Sequence, residues 1–243
     1  MVTSKIKYSL YFFDESKKQL SKKMIEVIKT NVQHLSTIIS EISNKTLTKE
    51  IAKKNGNNKS KEETGELLLG GHDVKCIWRF SISKKRQYII KVFHKNSISI
   101  KELVWHYFSV RNFKQKFKEK NYLIDDDQKV IIYILDVFGL GYYSLPRARF
   151  LFLVQEYSQH QQLNECFTDT QKPRVPLKAI FQEITNQGFI IDPSPGNWCI
   201  KKSSEEELEL EYFDLLWENH PQTKQKVNDF LKKCKFNLLL ISD

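Results

Sequence analysis

The chain has 243 residues, enough to bury a sizeable core in one large domain or two lobes, and at 40% hydrophobic and 12% aromatic it reads as globular, not disordered. Lysine and arginine outnumber acids 39 to 29, a formal charge of +10, which fits either a lysine-rich surface or an anionic partner such as nucleotide, nucleic acid or a membrane surface. Cys76, Cys166, Cys199 and Cys234 form no C-x-x-C pair, which argues against zinc and a disulfide framework; no run nears the roughly 18 apolar residues that span a bilayer, and "MVTSKIKYSLYFFDESKK" is too short in apolar core for a signal peptide. The expectation is a cytoplasmic protein, compatible with peripheral attachment at the inner membrane surface.

In chain order, "KYSLYFF" (7–13) predicts a strand. Residues 17–54 predict a helix with Met24, Ile25, Ile28, Val32, Leu35, Ile39 and Ile42 on one face. "KKNGNNKSKEETGE" (53–66) reads as a linker. "ELLLGG", "VKCIWRF" and "QYIIKVF" predict three strands of an antiparallel meander; in the second, Cys76, Trp78 and Phe80 alternate with Lys75, Ile77 and Arg79. Residues 99–117 predict a helix. "KVIIYILDVF" (129–138) and "RFLFLVQEY" (149–157) predict two more strands, joined by a loop holding Gly139, Gly141 and Pro146. A helix over 176–188 ends at Gly188, short strands flank residues 192–197, "LELEYFDLLW" adds another, and a helix starting near Pro221 follows.

One stretch carries chemistry. In "GFIIDPSPGNWCI" (188–200) an apolar run ends at Asp192, and Asn197 follows five residues later on a proline- and glycine-rich loop. Asp214 ends a further apolar strand. A carboxylate can orient a hydroxyl nucleophile, while a carboxamide oxygen and a second carboxylate are hard ligands for Mg²⁺ on nucleotide phosphates. The bland alternative is a Pro-Gly turn capped by Asp192.

"DPSPGN" resembles the D-x-x-x-x-N catalytic loop of the protein-kinase-like superfamily, and "YFDLLW" is similar to the metal-binding Asp segment of its compact atypical members: lipopolysaccharide core kinases, UbiB- and RIO-type kinases and aminoglycoside phosphotransferases. "YIIKVF" resembles the strand that carries the phosphate-contacting lysine, here Lys91, with Glu102 as its ion-pair partner. "FLVQEYSQHQQL" resembles a hinge, so Glu156 and Tyr157 would offer backbone to adenine. Gly70 and Gly71 stand where a glycine-rich loop would cover phosphates.

The resemblance implies an α+β, two-lobed kinase-like fold. Its parts would be an N-terminal helical extension and linker (1–65), a five-stranded antiparallel N-lobe with one inserted helix (66–157) and a compact, mainly helical C-lobe (158–243). It implies ATP and Mg²⁺ as cofactors, Asp192, Lys91 and Glu102 as catalytic residues, Asn197 and Asp214 as metal ligands, and a hydroxyl-bearing acceptor, a sugar or lipopolysaccharide-type glycan ahead of a folded protein. Three departures stand out: Ile190 replaces the usual histidine, "GGHD" replaces a full glycine-rich loop, and only 29 residues follow Asp214. The missing glycine motif and histidine support a pseudokinase or kinase-fold binding module; the retained Lys, Asp, Asn and Asp oppose it. A nucleic-acid-binding protein is the third reading, prompted by charge alone, since the lysines are scattered.

Overall fold

The computed structural model describes residues 6–42, 65–70, 72–83, 86–117, 122–125, 128–146, 148–166, 177–204 and 206–233. The protein is α+β and divides into two compact units. The first comprises Met1–Ile100 and Asp136–Tyr157, the second Lys101–Leu135 and Ser158–Asp243. Residues 101–135, expected with the first lobe, thus cluster with the second unit.

The first unit is built on β1 (Lys7–Phe12), β2 (Gly65–Leu69), β3 (Val74–Ser83), β4 (Arg86–Phe93), β7 (Val137–Leu145) and β8 (Ala148–Glu156). They form one antiparallel sheet in the order β1-β7-β8-β4-β3-β2. The sheet has six strands where five were expected, because β1 joins its edge, with Lys7 opposite Ser144 and Phe12 opposite Gly139. The run around Gly139 and Gly141, which reads as loop, is strand. A Cβ at Gly139 would lie 2.6 Å from the Tyr11 carbonyl oxygen, so the missing side chain is what lets β1 approach.

One face of this sheet is covered by α2 (Lys22–Ile42). Met24, Ile28, Val32, Leu35 and Ile39 are buried and share a core with Cys76, Trp78, Phe80, Tyr88, Ile90, Val92, Phe152 and Val154. Two hydrogen bonds fix the helix: Trp78 Nε1–H donates to Asn31 Oδ1 (2.8 Å), and the Tyr143 hydroxyl donates to the Val32 carbonyl (3.0 Å). The helix predicted over 17–54 is interrupted. A short α1 (Asp14–Gln19) ends where Leu20 turns extended, and Ser21 Oγ then accepts the Met24 N–H as a cap. Residues 43–54 lie outside the described residues. Cys76 and Cys199 are buried and in no disulfide, and burial pushes the Cys76 thiol up to about 12, so it stays protonated. No described helix is long and apolar enough to cross a membrane.

The second unit holds β5 (Tyr122–Asp125), β6 (Gln128–Ile134), β9 (Gln161–Gln162), β11 (Trp198–Ser203) and β12 (Glu207–Tyr212), in the order β5-β6-β12-β11-β9. β6 runs parallel to β12; the other pairs are antiparallel. The run 129–138, which reads as one strand, splits at Leu135–Asp136. Its first half stays on β12, where the Leu135 N–H reaches the Tyr212 carbonyl (3.2 Å); its second half is β7. A separate ladder pairs β10 (Phe189–Ile191) with β13 (Leu216–Glu218). The helices are α3 (Ile100–Phe117), α4 (Leu163–Cys166), α5 (Leu177–Asn186) and α6 (Pro221–Lys233). Expected as mainly helical, this unit also carries a five-stranded sheet and the β10–β13 ladder.

Because α2 closes the first core, Ile28→Ala should cost about 2–4 kcal/mol, and Trp78→Phe, which leaves Asn31 without its donor, about 1 kcal/mol. Urea denaturation measures both. An Ile28→Ala variant no less stable than the exposed-site Lys29→Ala would show that the helix does not close that core.

Candidate functional site

Two strand registers place the candidate residues of the second unit. In the ladder, Ile191 stands opposite Leu216, so the chain leaves β10 at Asp192 beside the point where it enters β13 from Asp214 and Leu215. In the other hairpin, Trp198 stands opposite Tyr212, and the Phe213 N–H donates to the Asn197 carbonyl (3.2 Å). That sets Asn197 beside the segment that carries Asp214. The loop itself closes with a single 3₁₀ turn, Pro195–Asn197, in which the Asn197 N–H meets the Ser194 carbonyl (2.9 Å). Trp198 is buried behind it, its ring 4.9 Å from that of Tyr212.

Asp192 is exposed at the mouth of this loop. Its Oδ1 accepts the Ser194 hydroxyl (2.7 Å) and the Ser194 N–H (2.9 Å). The Ser194 hydroxyl, then its N–H, and then the Asn197 side chain hold the Asp192 carboxyl below the ordinary carboxylate value, against a small opposing effect of burial. An asparagine side chain accepts only through its oxygen, so Asn197 Oδ1 is the end that could meet a cation. Tyr212 ties the two carboxylate-bearing segments together. Its hydroxyl accepts the Asp192 N–H (3.2 Å) and donates to the Leu215 carbonyl (3.0 Å). Burial, and then the charges of Asp214 and Asp192, push the Tyr212 phenol well above its ordinary value, so this bridge keeps its proton.

The strand that follows Asp214 is held from its other side by α3. The Leu216 N–H donates to His106 Nδ1 (3.1 Å), the Glu218 N–H donates to Ser109 Oγ (2.8 Å), and Trp105 Nε1–H donates to the Glu218 carbonyl (3.0 Å). The Glu218 carboxylate, only 2% exposed, accepts from Thr223 Oγ1 (2.5 Å), Asn112 Nδ2 (2.5 Å) and Lys116 Nζ (2.9 Å). Burial alone would raise its pKa. The hydrogen bonds from Thr223, Asn112 and Lys116, with the lysine charge, outweigh burial and hold it below the ordinary glutamate value.

Lys91, Gly70, Glu156 and Tyr157 belong to the first unit. Lys91 sits on the inner strand β4, in register with Ile77 and Leu153, so it is not an edge charge. It lies on the sheet face opposite the one α2 covers, and is 5% exposed. Gly70 follows β2 at the β2–β3 turn, where any side chain would collide with the Val74 carbonyl oxygen; Gly71 lies outside the described residues. The Glu156 N–H donates to the Asp136 carbonyl (2.8 Å) and the Tyr157 N–H to the Gln87 carbonyl (3.0 Å). Both amide N–H groups are thus already engaged. The Tyr157 ring lies against Arg79, whose guanidinium also donates to the Tyr157 hydroxyl (3.1 Å). Glu102 is exposed in the first turn of α3 and belongs to the second unit.

No family model matches the chain, and no curated protein matches it. Among solved structures it is similar to the kinase domain of maize SIRK1, sucrose-induced receptor kinase 1, bound to AMP-PNP, at 13% sequence identity and a TM-score of 0.33. The match covers 71% of this chain and 55% of that one, so it takes in only about half of that domain's length.

Asp192, Asn197 and Asp214 together offer two carboxylates and a carboxamide, an oxygen-only set. Such donors fit a hard cation such as Mg²⁺, which leaves its remaining positions to water and phosphate. Among the described residues there is no cluster of three His, Cys, Asp or Glu suited to a softer metal. Four residues of this region escape the motif: Ser194, Tyr212, His106 and Glu218. Ser194 and Tyr212 had a local signal, each lying two residues from an aspartate. His106 and Glu218 are more than a hundred residues apart in sequence, and only the tertiary fold joins their elements.

The depressed value of Glu218 sets a pH dependence. Its contribution to stability is complete above the ordinary glutamate value and is lost as pH falls through the lowered one. Glu218→Gln should cost about 2–3 kcal/mol at neutral pH and flatten the acid limb. Urea midpoints between about pH 3 and about pH 7 measure this, and an unchanged acid limb in the variant would assign it to other carboxylates.

Proposed function

We propose that the protein is an ATP-dependent phosphotransferase acting on a hydroxyl acceptor, a sugar or lipopolysaccharide-type glycan ahead of a folded protein. The observation that carries this reading is the meeting of Asp192, Asn197 and Asp214 through two independent strand registers. Asp192 is ionised, exposed and held by Ser194, so it can orient an acceptor hydroxyl and take up its proton. Asn197 Oδ1 and the Asp214 carboxylate would hold Mg²⁺, which when bound neutralises charge on the nucleotide phosphates. Lys91, buried on the sheet face that α2 does not cover, is assigned to the phosphates by its resemblance to the kinase strand lysine. Glu156 and Tyr157 are assigned to the adenine edge by the resemblance of their run to a kinase hinge.

A second reading is a nucleotide-binding module of the same fold without turnover. The short "GGHD" in place of a glycine-rich loop and Ile190 in place of the usual histidine favour it. Phosphate release from ATP separates the two readings.

The test is thermal stabilisation by ATP with and without Mg²⁺. Binding at a hundred times Kd adds about 2.7 kcal/mol, a clear rise in Tm. Asp214→Ala should abolish the Mg²⁺-dependent part, because phosphate charge is left uncompensated. Asp192→Ala should leave the Tm shift intact and reduce transfer of labelled γ-phosphate by about a hundredfold or more. No stabilisation of the wild type by ATP would end both readings, and equal loss of ATP binding in the two variants would overturn the division of roles.

A further inference from the structure

The row Trp105, His106, Ser109, Asn112 and Lys116 lies along one face of α3, and every member is hydrogen-bonded to the three residues Leu216 to Glu218. Four of the five meet Glu218, at the far end of the ladder from the loop. His106 meets Leu216, which stands opposite Ile191, the residue before Asp192, and lies two residues after Asp214. The imidazole is 1% exposed, and its Nδ1 lies 3.1 Å from the Leu216 nitrogen, whose N–H it accepts when the ring proton is on Nε2, and 3.3 Å from the Leu216 carbonyl oxygen. The neighbouring peptide is fixed by Tyr212, whose hydroxyl reaches the Leu215 carbonyl and the Asp192 N–H. Leu215 and Leu216 are therefore gripped by one side chain from α3 and one from β12, at the place where both candidate carboxylates are set.

We infer that His106 is a positioning residue for phosphoryl transfer: by accepting the Leu216 N–H it fixes the chain between Asp214 and β13, and with it the spacing of Asp214 from Asp192. This rests on the phosphotransferase reading. A buried histidine whose role is packing alone would matter for stability and leave Mg²⁺ use unchanged. A positioning histidine sets how well Asp214 meets the cation, so its loss shows in the Mg²⁺ requirement.

The experiment compares the wild type with His106→Leu, which fills similar space without an acceptor, and His106→Asn, whose Oδ1 can stand where Nδ1 does. Ile28→Val, in the core of the first unit, controls for lowered stability. The readouts are Mg²⁺-dependent thermal stabilisation by ATP, release of labelled phosphate from ATP across a Mg²⁺ titration, and hydrogen-exchange protection of the Leu216 amide. The expected result for His106→Leu is at least a tenfold rise in the Mg²⁺ needed for half-maximal effect and a tenfold fall in rate at saturating ATP, with protection of Leu216 lost. His106→Asn should stay within about threefold of wild type on every readout, and Ile28→Val should not change the Mg²⁺ requirement. If His106→Leu keeps the wild-type Mg²⁺ requirement, or His106→Asn is as impaired as His106→Leu, the inference is overturned. If His106→Leu does not fold, His106→Asn alone decides. A wild type that shows neither ATP stabilisation nor phosphate release fails before any variant is made, and that failure belongs to the phosphotransferase reading.

Discussion

The second unit is organised around one carboxylate. Glu218 is buried, ionised and answered by donors from α3 and α6, while its own backbone N–H and carbonyl are taken by Ser109 and Trp105. A charge removed from water is tolerable only when its lone pairs are filled, so the arrangement allows few alternatives. Strand β13 cannot slide along β10, because a one-residue slip would carry Glu218 away from its donors and turn its side chain to the other face. An apolar residue at that position could match the stability and would not define the register. The value of the carboxylate lies in that specification, and the loop bearing Asp192 inherits it.

Periodicity carried most of the fold. The apolar face of α2, the alternation in β3 and the largely apolar β4 and β8 were legible because each reflects burial local to its own element. Three features were not. The glycines of β7 look like loop residues until β1 is laid against them, and then their lack of Cβ is the reason the two strands pair. The break at Leu135–Asp136 has no breaker in the sequence; it arises because the two halves of the run pair with different sheets. The helix predicted over 17–54 hid a cap at Ser21, because a serine within a periodic stretch does not disturb its spacing.

At the candidate site, the residue types were readable and their support was not. "DPSPGN" names Asp192 and Asn197, and the apolar strand before Asp214 marks it as a strand-end carboxylate. What brings the segments carrying the three side by side is the pairing of Ile191 with Leu216 and of Trp198 with Tyr212, both products of tertiary structure. The hinge-like run was legible as a strand, but the partners of its amides were not: Asp136 and Gln87 take the N–H groups of Glu156 and Tyr157. Glu102, whose sequence spacing suits a lysine partner, lies in the exposed first turn of a helix whose inner face is committed to Leu216–Glu218.

The first unit is drawn from two separated pieces of chain, Met1–Ile100 and Asp136–Tyr157. Its inner strand β8 pairs with β7 on one side and β4 on the other, so the sheet stays open until residue 156 is available. During synthesis, β1 emerges more than a hundred residues before β7, the strand it pairs with, while α2 waits only for β3 and β4 to begin its core. The same interleaving means that no single cut of the chain releases either unit whole. A truncation at about residue 100 leaves half a sheet, and one beginning at about residue 158 leaves β12 without its parallel neighbour β6. The two units share one chain in a way that obliges them to be made together.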